Sequence, residues 1–364
     1  NGLQKEIQNK TSVFNGHMLI TLFENNESQV SVLPFEDADS VRQKIRENKN
    51  IKRFHSIALK PGMLKNKSQF EGVLFKGVSS DFDWSSLDTF ITEGRFPDLS
   101  NSISKEILIS ETLARQLDLK VGDQTDAFFQ NQPYESLPKK RRFTVAGIYF
   151  SGFPDVDQTL LYGDLRQIQK LNRWEENMIG AYELFVKDFS LVQNTTDQIY
   201  NSIPSELNSI PIFDRFPSIF QWISLFDFNV LIILIVMIMV GVSNMATALL
   251  VLILECSRMV GLLKAIGARN RLIQKIFLYN GVVIMSKGLL FGNLIGLGFY
   301  FSQSLLGWIQ LDPSTYFVSK APVSISGLEV LSVNLFFLFI SSLLLWIPSK
   351  IILRISPSKV LRFR

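Results

Sequence analysis

The chain has 364 residues, 47% of them hydrophobic, and a net charge of +4 that is unevenly distributed. Residues 1–227 hold 25 basic and 30 acidic residues, whereas residues 228–364 hold 12 basic and only 3 acidic ones. Basic residues around apolar segments are typical of membrane proteins, so we expect no nucleic-acid partner. A single cysteine excludes an intrachain disulfide framework, and two isolated histidines argue against a metal site.

Residues 1–222 predict a mixed α/β domain. Apolar residues recur at helical spacing in four segments: Glu36–Glu47, Ser110–Leu117, Asp164–Leu171 and Leu191–Ile203. Ser110 and Asp164 are suited to cap the second and third of these helices. Strand-like patterns occur in five runs: Ser12–Phe23, Ile107–Ile109, Phe143–Phe150, Gln158–Tyr162 and Tyr182–Val186.

The segment 130–142 separates two strand-like runs and predicts a projecting loop. Its prolines, Pro133 and Pro138, block regular strand pairing, and with Tyr134 they would form a stiff apolar tip. Four consecutive cations end at Arg141 and Arg142, on a domain that is acidic as a whole. Such charges would steer an acidic partner. The alternative is a solvated surface hairpin without a partner.

The C-terminal part, residues 223–364, predicts an α-helical membrane domain with helices at about 224–254, 274–307 and 328–353. Phe228–Leu254 contains 27 residues without a charge, more than the roughly 20 needed to cross a bilayer. Within the second helix, Gly288, Gly292 and Gly296 recur every four residues, a spacing that favours close helix packing. The alternative is the general enrichment of glycine in membrane helices.

The distribution of basic residues predicts the orientation. Residues 255–275 carry five basic residues against one acid, and the tail after the last helix is basic throughout. The positive-inside rule places both segments in the cytoplasm and the α/β domain outside it. A domain of that size needs an export element, so we expect a fourth membrane helix before residue 1.

The cytoplasmic segment at about 255–272 predicts a short helix that docks on a partner. Met259, Leu262, Leu263 and Ile266 would share one face, and basic residues would flank it. An apolar ridge of this kind suits a groove in a cytoplasmic protein. The alternative is an amphipathic helix that lies on the membrane surface alone.

The sequence contains none of the common catalytic signatures that we considered. It has no Gly-x-x-x-x-Gly-Lys-[Ser/Thr], Gly-x-Ser-x-Gly, His-Glu-x-x-His or Cys-x-x-Cys segment. We therefore expect a non-catalytic subunit that binds no cofactor itself. If the protein works in an ATP-driven complex, another subunit of that complex must supply the ATPase.

Several of these segments resemble the FtsX-like/MacB-like permease superfamily of ABC transporters. The run 261–268, Gly-Leu-Leu-Lys-Ala-Ile-Gly-Ala, resembles its coupling-helix signature, and Pro357–Arg362 resembles its terminal motif. Glu106–Leu117 followed by Val121-Gly122-Asp123 is similar to its periplasmic region. Val145–Tyr162 more narrowly resembles the lipoprotein-releasing permeases of the LolC/LolE type. Asn1–Glu6 resembles the stretch that follows their first membrane helix.

The resemblance implies an inner-membrane permease that extracts lipoproteins and hands them to a periplasmic carrier. It implies a second permease, identical or paralogous, and two cytoplasmic ATPase subunits that hold ATP and Mg. It assigns ATPase coupling to Arg258, Met259, Gly261, Leu262, Leu263, Lys264, Ala265, Ile266, Gly267 and Ala268.

By position, the resemblance makes the 130–142 loop a hook for the carrier. It places acylated cargo and membrane lipid at the aromatic-rich entry to the first helix, at Phe220, Ile223, Leu225 and Phe226. For that entry, an interfacial aromatic belt is the alternative. Two other functions stay open: a MacB-like mechanotransmission efflux permease, and an FtsX-like signalling regulator of cell-wall hydrolases.

Overall fold

The computed structural model describes residues 2–25, 30–31, 33–67, 69–100, 102–130, 138–311 and 320–349. The chain divides into two compact units. We call Lys5–Phe220 with Leu311–Ser319 the sheet unit. We call Asn1–Gln4, Gln221–Gln310 and Lys320–Arg364 the helical unit, and describe each by itself.

The sheet unit is built on a mixed sheet with ten described strands. Nine of them follow the order β12-β1-β11-β3-β4-β9-β6-β8-β5, and β7 pairs with both β3 and β8. The pairs β4–β9 and β6–β8 are parallel, and the other pairs are antiparallel. The two remaining strands, β2 and β10, pair with each other. In chain order the strands are β1 Met18–Leu22, β2 Phe35–Glu36, β3 Ile51–Asn66, β4 Gln69–Val78, β5 Ile91–Gly94, β6 Glu106–Ser110, β7 Gln124–Phe129, β8 Lys139–Tyr149, β9 Leu160–Asp164, β10 Met178–Ile179, β11 Ala181–Val186 and β12 Leu207–Pro211.

Short helices connect these strands. They are α1 Gly2–Asn15, α2 Asp39–Glu47, α3 Glu111–Gln116, α4 Pro154–Thr159, α5 Leu165–Asn172, α6 Val192–Tyr200 and α7 Ile212–Arg215. The two predicted N-caps are confirmed. The Ser110 hydroxyl accepts a hydrogen bond from the Leu113 amide, and the Asp164 carboxylate accepts one from the Arg166 amide.

The sheet is the middle layer of the unit, because alternate residues of its strands enter two separate apolar clusters. On β6, Ile107 and Ile109 belong to one cluster and Leu108 to the other. Helices α2, α3, α5 and α6 contribute to the first cluster. Phe14 of α1 and Leu87 of a short 3-10 helix contribute to the second.

Two predicted strands were wrong in part. Residues 12–15 of the run Ser12–Phe23 complete α1, and β1 begins only at Met18. Between them Gly16 has φ +69, a left-handed conformation that ends the helix at little steric cost. Likewise, the first two residues of Gln158–Tyr162 belong to α4, and the strand begins at Leu160.

The helical unit contains the long apolar helices. They are α8 Pro217–Glu255, α9 Ser257–Ala265, α10 Asn270–Leu306 and α11 Gly327–Ser349. By length and composition, α8, α10 and α11 could each cross a membrane. The predicted fold class, three apolar helices with a mixed α/β domain, is therefore confirmed.

Polar contacts join α10 to α11 and to the segment between them. The Asn334 amide donates to Asn293 Oδ1 at 3.2 Å between the two helices. The buried Gln303 side chain donates to the Ala321 carbonyl at 3.1 Å and accepts from the Ile309 amide at 3.0 Å. Because these groups satisfy one another inside an apolar bundle, they favour one packing of the two helices.

Candidate functional site

The short helix α9 lies between α8 and α10 and is anchored by an apolar cluster. Leu249 and Ile253 of α8, Val260 of α9, and Ile273 and Phe277 of α10 are each no more than 1% exposed. Burial of five large apolar side chains fixes α9 against the ends of both long helices. A force applied to α9 would therefore reach α8 and α10 directly.

The opposite side of α9 presents an apolar ridge. Met259, Leu262 and Ile266 are 46%, 57% and 74% exposed, and their spacing of three and four residues places them on one face. Leu263, which we expected on this ridge, instead packs against the anchoring cluster. Leu263 is spaced to share a side with either Met259 or Val260, and its contact with the anchoring cluster places it beside Val260. We therefore define the ridge by Met259, Leu262 and Ile266.

Gly267 ends α9 in a Schellman motif. It has φ +90, and its amide donates to the Lys264 carbonyl at 3.1 Å. The Ala268 amide donates to the Leu263 carbonyl at 2.9 Å, and both of these side chains pack on the anchoring cluster. Gly261, the first glycine of the Gly-Leu-Leu-Lys-Ala-Ile-Gly-Ala run, is buried within the helix. The glycine and alanine that end the Gly-Leu-Leu-Lys-Ala-Ile-Gly-Ala run thus stop α9 and turn the chain toward α10.

Basic side chains flank the ridge. Arg258 and Arg269 are exposed, while Lys264 is half-buried and burial lowers its pKa. Ala265 is exposed beside the ridge. The structure thus brings together all ten residues that were predicted to couple to an ATPase, but it divides them between an outward ridge and an inward anchor.

The C-terminal end of the predicted carrier loop, residues 139–142, belongs to β8. Pro133 and Tyr134 lie outside the described residues, and Pro138 is exposed. The expectation that Arg141 and Arg142 project from a loop was wrong, because both belong to β8 and pair with Ala127 and Asp126 of β7. The error came from extending the loop beyond Pro138, since β8 begins at the next residue, Lys139.

Strand alternation also changes how these cations are presented. Lys140 and Arg142 are both exposed, and both bind the Asp126 carboxylate, at 2.7 and 3.0 Å. Arg141 points to the other face and is half-buried. The basic run is therefore partly neutralised within the sheet.

The four residues predicted for the cargo path are divided between the two units. Phe220 stacks on Phe189 with ring centroids 5.9 Å apart, within the sheet unit. In the helical unit Ile223 is buried and Leu225 is 58% exposed. Phe226 packs edge-to-face on the neighbouring Trp222 at 4.9 Å, an arrangement that also suits an interfacial aromatic belt.

The predicted glycine face of α10 is open in the described chain. A Cβ atom added at Gly288, Gly292 or Gly296 would meet no heavy atom within 4 Å. The close packing that we expected is therefore not made by the described residues of this chain. Gly241 of α8, in contrast, lies against the ring of Phe337.

Sequence reasoning missed a buried ion pair in the sheet unit, between Lys76 of β4 and Glu183 of β11. The Lys76 ammonium also donates to the carbonyl of Phe14 at the end of α1. Arg215 of α7 donates to the next carbonyl, that of Asn15, at 3.0 Å. The pair and Arg215 thus hold the end of α1 and the segment that precedes α8. The sequence signal that could have indicated this ion pair was Lys76, a lysine between buried positions of a strand.

No described group of His, Cys, Asp and Glu side chains has the arrangement of a metal site. His17 accepts a hydrogen bond from the Val186 amide at 2.8 Å, and His55 is buried near Phe82. The two histidines therefore contribute to the packing of the sheet unit.

Residues 231–357 match the family described as FtsX-like permease C-terminal. This segment contains most of α8, all of α9 and α10, and α11. The C-terminal part of the chain therefore carries an FtsX-like permease domain, as its resemblance to that superfamily predicted.

The chain is also similar to curated proteins over nearly all of its residues. It is 24% identical to the lipoprotein-releasing system transmembrane protein LolE of Haemophilus influenzae, over 99% of this chain and 88% of that protein. It is 22% identical to the corresponding LolC of Neisseria meningitidis serogroup B, over 100% of this chain and 88% of that protein. Among solved structures, the periplasmic region of MacB from Actinobacillus actinomycetemcomitans matches 56% of this chain and 91% of its own, with 12% identity and a TM-score of 0.37.

Proposed function

We propose that this chain is the permease subunit of an ABC transporter that extracts lipoproteins from the inner membrane and passes them to a periplasmic carrier. The observation that carries the proposal is its similarity to lipoprotein-releasing LolE and LolC proteins over nearly the whole chain. Similarity confined to the membrane helices would support only a general permease. Here the sheet unit, where cargo and carrier specificity would reside, takes part in the alignment.

The charge distribution supports an inner-membrane location with the sheet unit in the periplasm. Lys264, Arg269, Arg271 and Lys275 follow α8 with only Glu255 against them. Placing α9 in the cytoplasm satisfies the positive-inside rule, and α8 then leads outward to the sheet unit.

The ridge on α9 supports coupling to a separate ATPase. Three exposed apolar side chains on a helix that is anchored to two membrane helices would insert into a groove of a cytoplasmic partner. Closure of two ATPase subunits around ATP and Mg would then move α8 and α10 together. In this account the permease itself performs no chemistry, and its partner permease is a second copy or a paralogue.

Native mass spectrometry of the complex purified from its source membrane tests this proposal. We expect two permease chains, two ATPase chains and an acylated lipoprotein. Crosslinking before solubilisation should add a soluble periplasmic carrier. Capture of an outer-membrane tunnel protein would favour an efflux permease, and capture of a cell-wall hydrolase would favour a signalling regulator; either result without lipoprotein would contradict the proposal.

A further inference from the structure

One face of α10 carries polar side chains inside the apolar span. Lys275 is the last basic residue before the span, and Lys287 follows it 12 residues later, about 18 Å along the helix. Because the hydrocarbon core of a bilayer is about 30 Å thick, Lys287 lies near its middle. Asn280 shares the face of Lys287, since seven residues are close to two helical turns. Both side chains are exposed in this structure.

This face is directed away from the rest of the helical unit. α10 packs on α11 through Asn293, which accepts the hydrogen bond from Asn334, and Met285 is buried. Lys287 follows Met285 by two residues, which places it about 160° away around the helix. Neither Lys287 nor Asn280 has a hydrogen bond or an ion pair with any described residue. The described part of the chain therefore leaves this face without a partner.

Lipid does not satisfy Lys287 at this depth. An ammonium group in the hydrocarbon core is costly, and ionisable side chains in membrane helices almost always face other helices or a water-filled cavity. The headgroups lie about 15 Å from the middle of the core, beyond the reach of the four-carbon stem of a lysine. Lys287 therefore needs a partner group inside the membrane.

The C-terminal part of this chain has no carboxylate at that depth. Residues 228–364 contain three acids, Glu255, Asp312 and Glu329. Glu255 ends α8, Asp312 lies in the sequence between α10 and α11, and Glu329 is in the first turn of α11. All three belong to the borders of the span. A second copy of these helices in the same orientation would present the same acids at the same depths, together with a second Lys287.

We propose that this face of α10 packs against a membrane helix of a different protein, and that this helix carries a carboxylate at the depth of Lys287. Asn280, Lys287 and Leu294 recur every seven residues, a spacing that suits two helices packed side by side. Phe291 and Leu294, each 63% exposed, supply apolar contact beside the ion pair. The inference rests on the proposed function only in that this chain works in a complex with other membrane proteins.

Photocrosslinking in native membranes identifies the occupant. A photoreactive amino acid replaces Phe291, one turn from Lys287, and mass spectrometry of the irradiated complex identifies the captured peptide. We expect a membrane helix of a different protein, with Asp or Glu within about one turn of the crosslinked residue. Capture of lipid alone, of a helix without an acid, or of any part of this same protein would overturn the proposal.

Charge variants test the ion pair. Lys287→Met leaves the partner carboxylate unpaired and should weaken retention of the captured protein by about tenfold or more. Lys287→Arg keeps the charge and should change retention less than about twofold. Lys287→Glu, combined with lysine in place of the captured acid, should restore retention. Equal retention by the methionine and arginine variants would overturn the proposal.

The stability of the chain purified alone separates pairing with a partner from a role inside this chain. There, Lys287→Met should leave the thermal transition unchanged or raise it, because the substitution removes a cation that has no partner in the described chain. A lower transition would assign Lys287 to the packing of its own chain and overturn the proposal. Neither capture nor retention involves lipoprotein, so a failure of lipoprotein release would contradict the proposed function alone.

Discussion

The Lys76 ammonium lies 2.6 Å from Glu183 Oε1 inside the sheet unit, where the two side chains are only 3% and 1% exposed. Burial lowers the pKa of Lys76, and the Glu183 carboxylate acts in the opposite direction. Lys76 also holds the Phe14 carbonyl at 2.8 Å, and a Cβ atom at Gly16 would lie 2.4 Å from Glu183 Cγ. The end of α1 is thus fitted closely around this ion pair.

We expect Lys76→Met to destabilise the chain by about 3–5 kcal/mol, because it leaves the Glu183 carboxylate buried without the cation that binds it directly. The double variant Lys76→Met, Glu183→Leu should recover a large part of that loss. Unfolding of the detergent-solubilised chain, followed by tryptophan fluorescence, measures both effects.

The exposed pair Lys67–Asp118 is the matched control, since its side chains are 75% and 69% exposed. Lys67→Met should change the stability by less than about 1 kcal/mol. If Lys76→Met were no more harmful than Lys67→Met, the buried pair would not be a stabilising element.

The two histidines predict a loss of stability in mild acid. Burial lowers the pKa of His17 and of His55 from 6.5 to about 4. Between pH 6.5 and pH 4 the unfolded chain therefore binds protons that the folded chain does not. Stability is fully present above pH 6.5 and is lost as the pH falls toward 4, by about 1–3 kcal/mol for each histidine.

Thermal unfolding between pH 7.5 and pH 4 measures this effect as the difference between the wild type and His55→Gln. Other groups that titrate contribute equally to both chains, so the difference isolates His55. The variant should show a flatter decline between pH 6.5 and pH 4. Parallel curves for the two proteins would show that His55 does not titrate in this window.

The left-handed conformation of Gly267 predicts a cost for any side chain at that position. No heavy atom lies within 4 Å of an added Cβ, so the cost of Gly267→Ala is conformational and should be about 1–2 kcal/mol. Gly267→Asn should cost less, because asparagine tolerates this conformation. Unfolding midpoints of the two variants test the order; equal midpoints for both variants and the wild type would contradict the role of Gly267 as a helix stop.

Sequence patterns predicted the elements whose signals are local. Ser110 and Asp164 were recognisable as caps because a cap needs only the first turn of its own helix. The long apolar runs predicted α8, α10 and α11 for the same reason. By contrast, the strands β3 and β4 contain Lys60, Pro61 and Lys76, which break the alternating pattern, and their pairing depends on distant parts of the chain.

The candidate site was predictable in composition but not in orientation. A helical wheel groups Leu263 with Met259 and Ile266, and only the cluster formed by Leu249, Ile253 and Phe277 shows that Leu263 faces inward. The Lys76–Glu183 pair joins residues 107 positions apart. No local pattern could have predicted which acid neutralises that lysine.

The division of α9 into two faces predicts different consequences for neighbouring leucines. Leu262→Asp places a charge on the exposed ridge, so the chain should fold normally but lose its ATPase partner during purification. Leu263→Asp places a charge against the anchoring cluster and should lower the thermal stability of the chain itself.

Val121→Asp, at a 39% exposed position in the sheet unit, controls for adding an acid to an exposed apolar site. It should retain both the stability and the ATPase. ATPase retention by Leu262→Asp at the wild-type level would assign the ridge to a membrane surface or to another partner.

ATP-dependent release of a lipoprotein tests the proposed function most directly. The purified complex is reconstituted in proteoliposomes with an acylated lipoprotein, ATP, Mg²⁺ and the soluble carrier, and the lipoprotein in the soluble fraction is measured. The account predicts release that requires ATP and that is lost in a second complex, reconstituted from Leu262→Asp, Ile266→Asp permease with the ATPase added in excess, while lipoprotein stays in the membrane. Release that is equal with and without ATP, or equal in the two complexes, would contradict it.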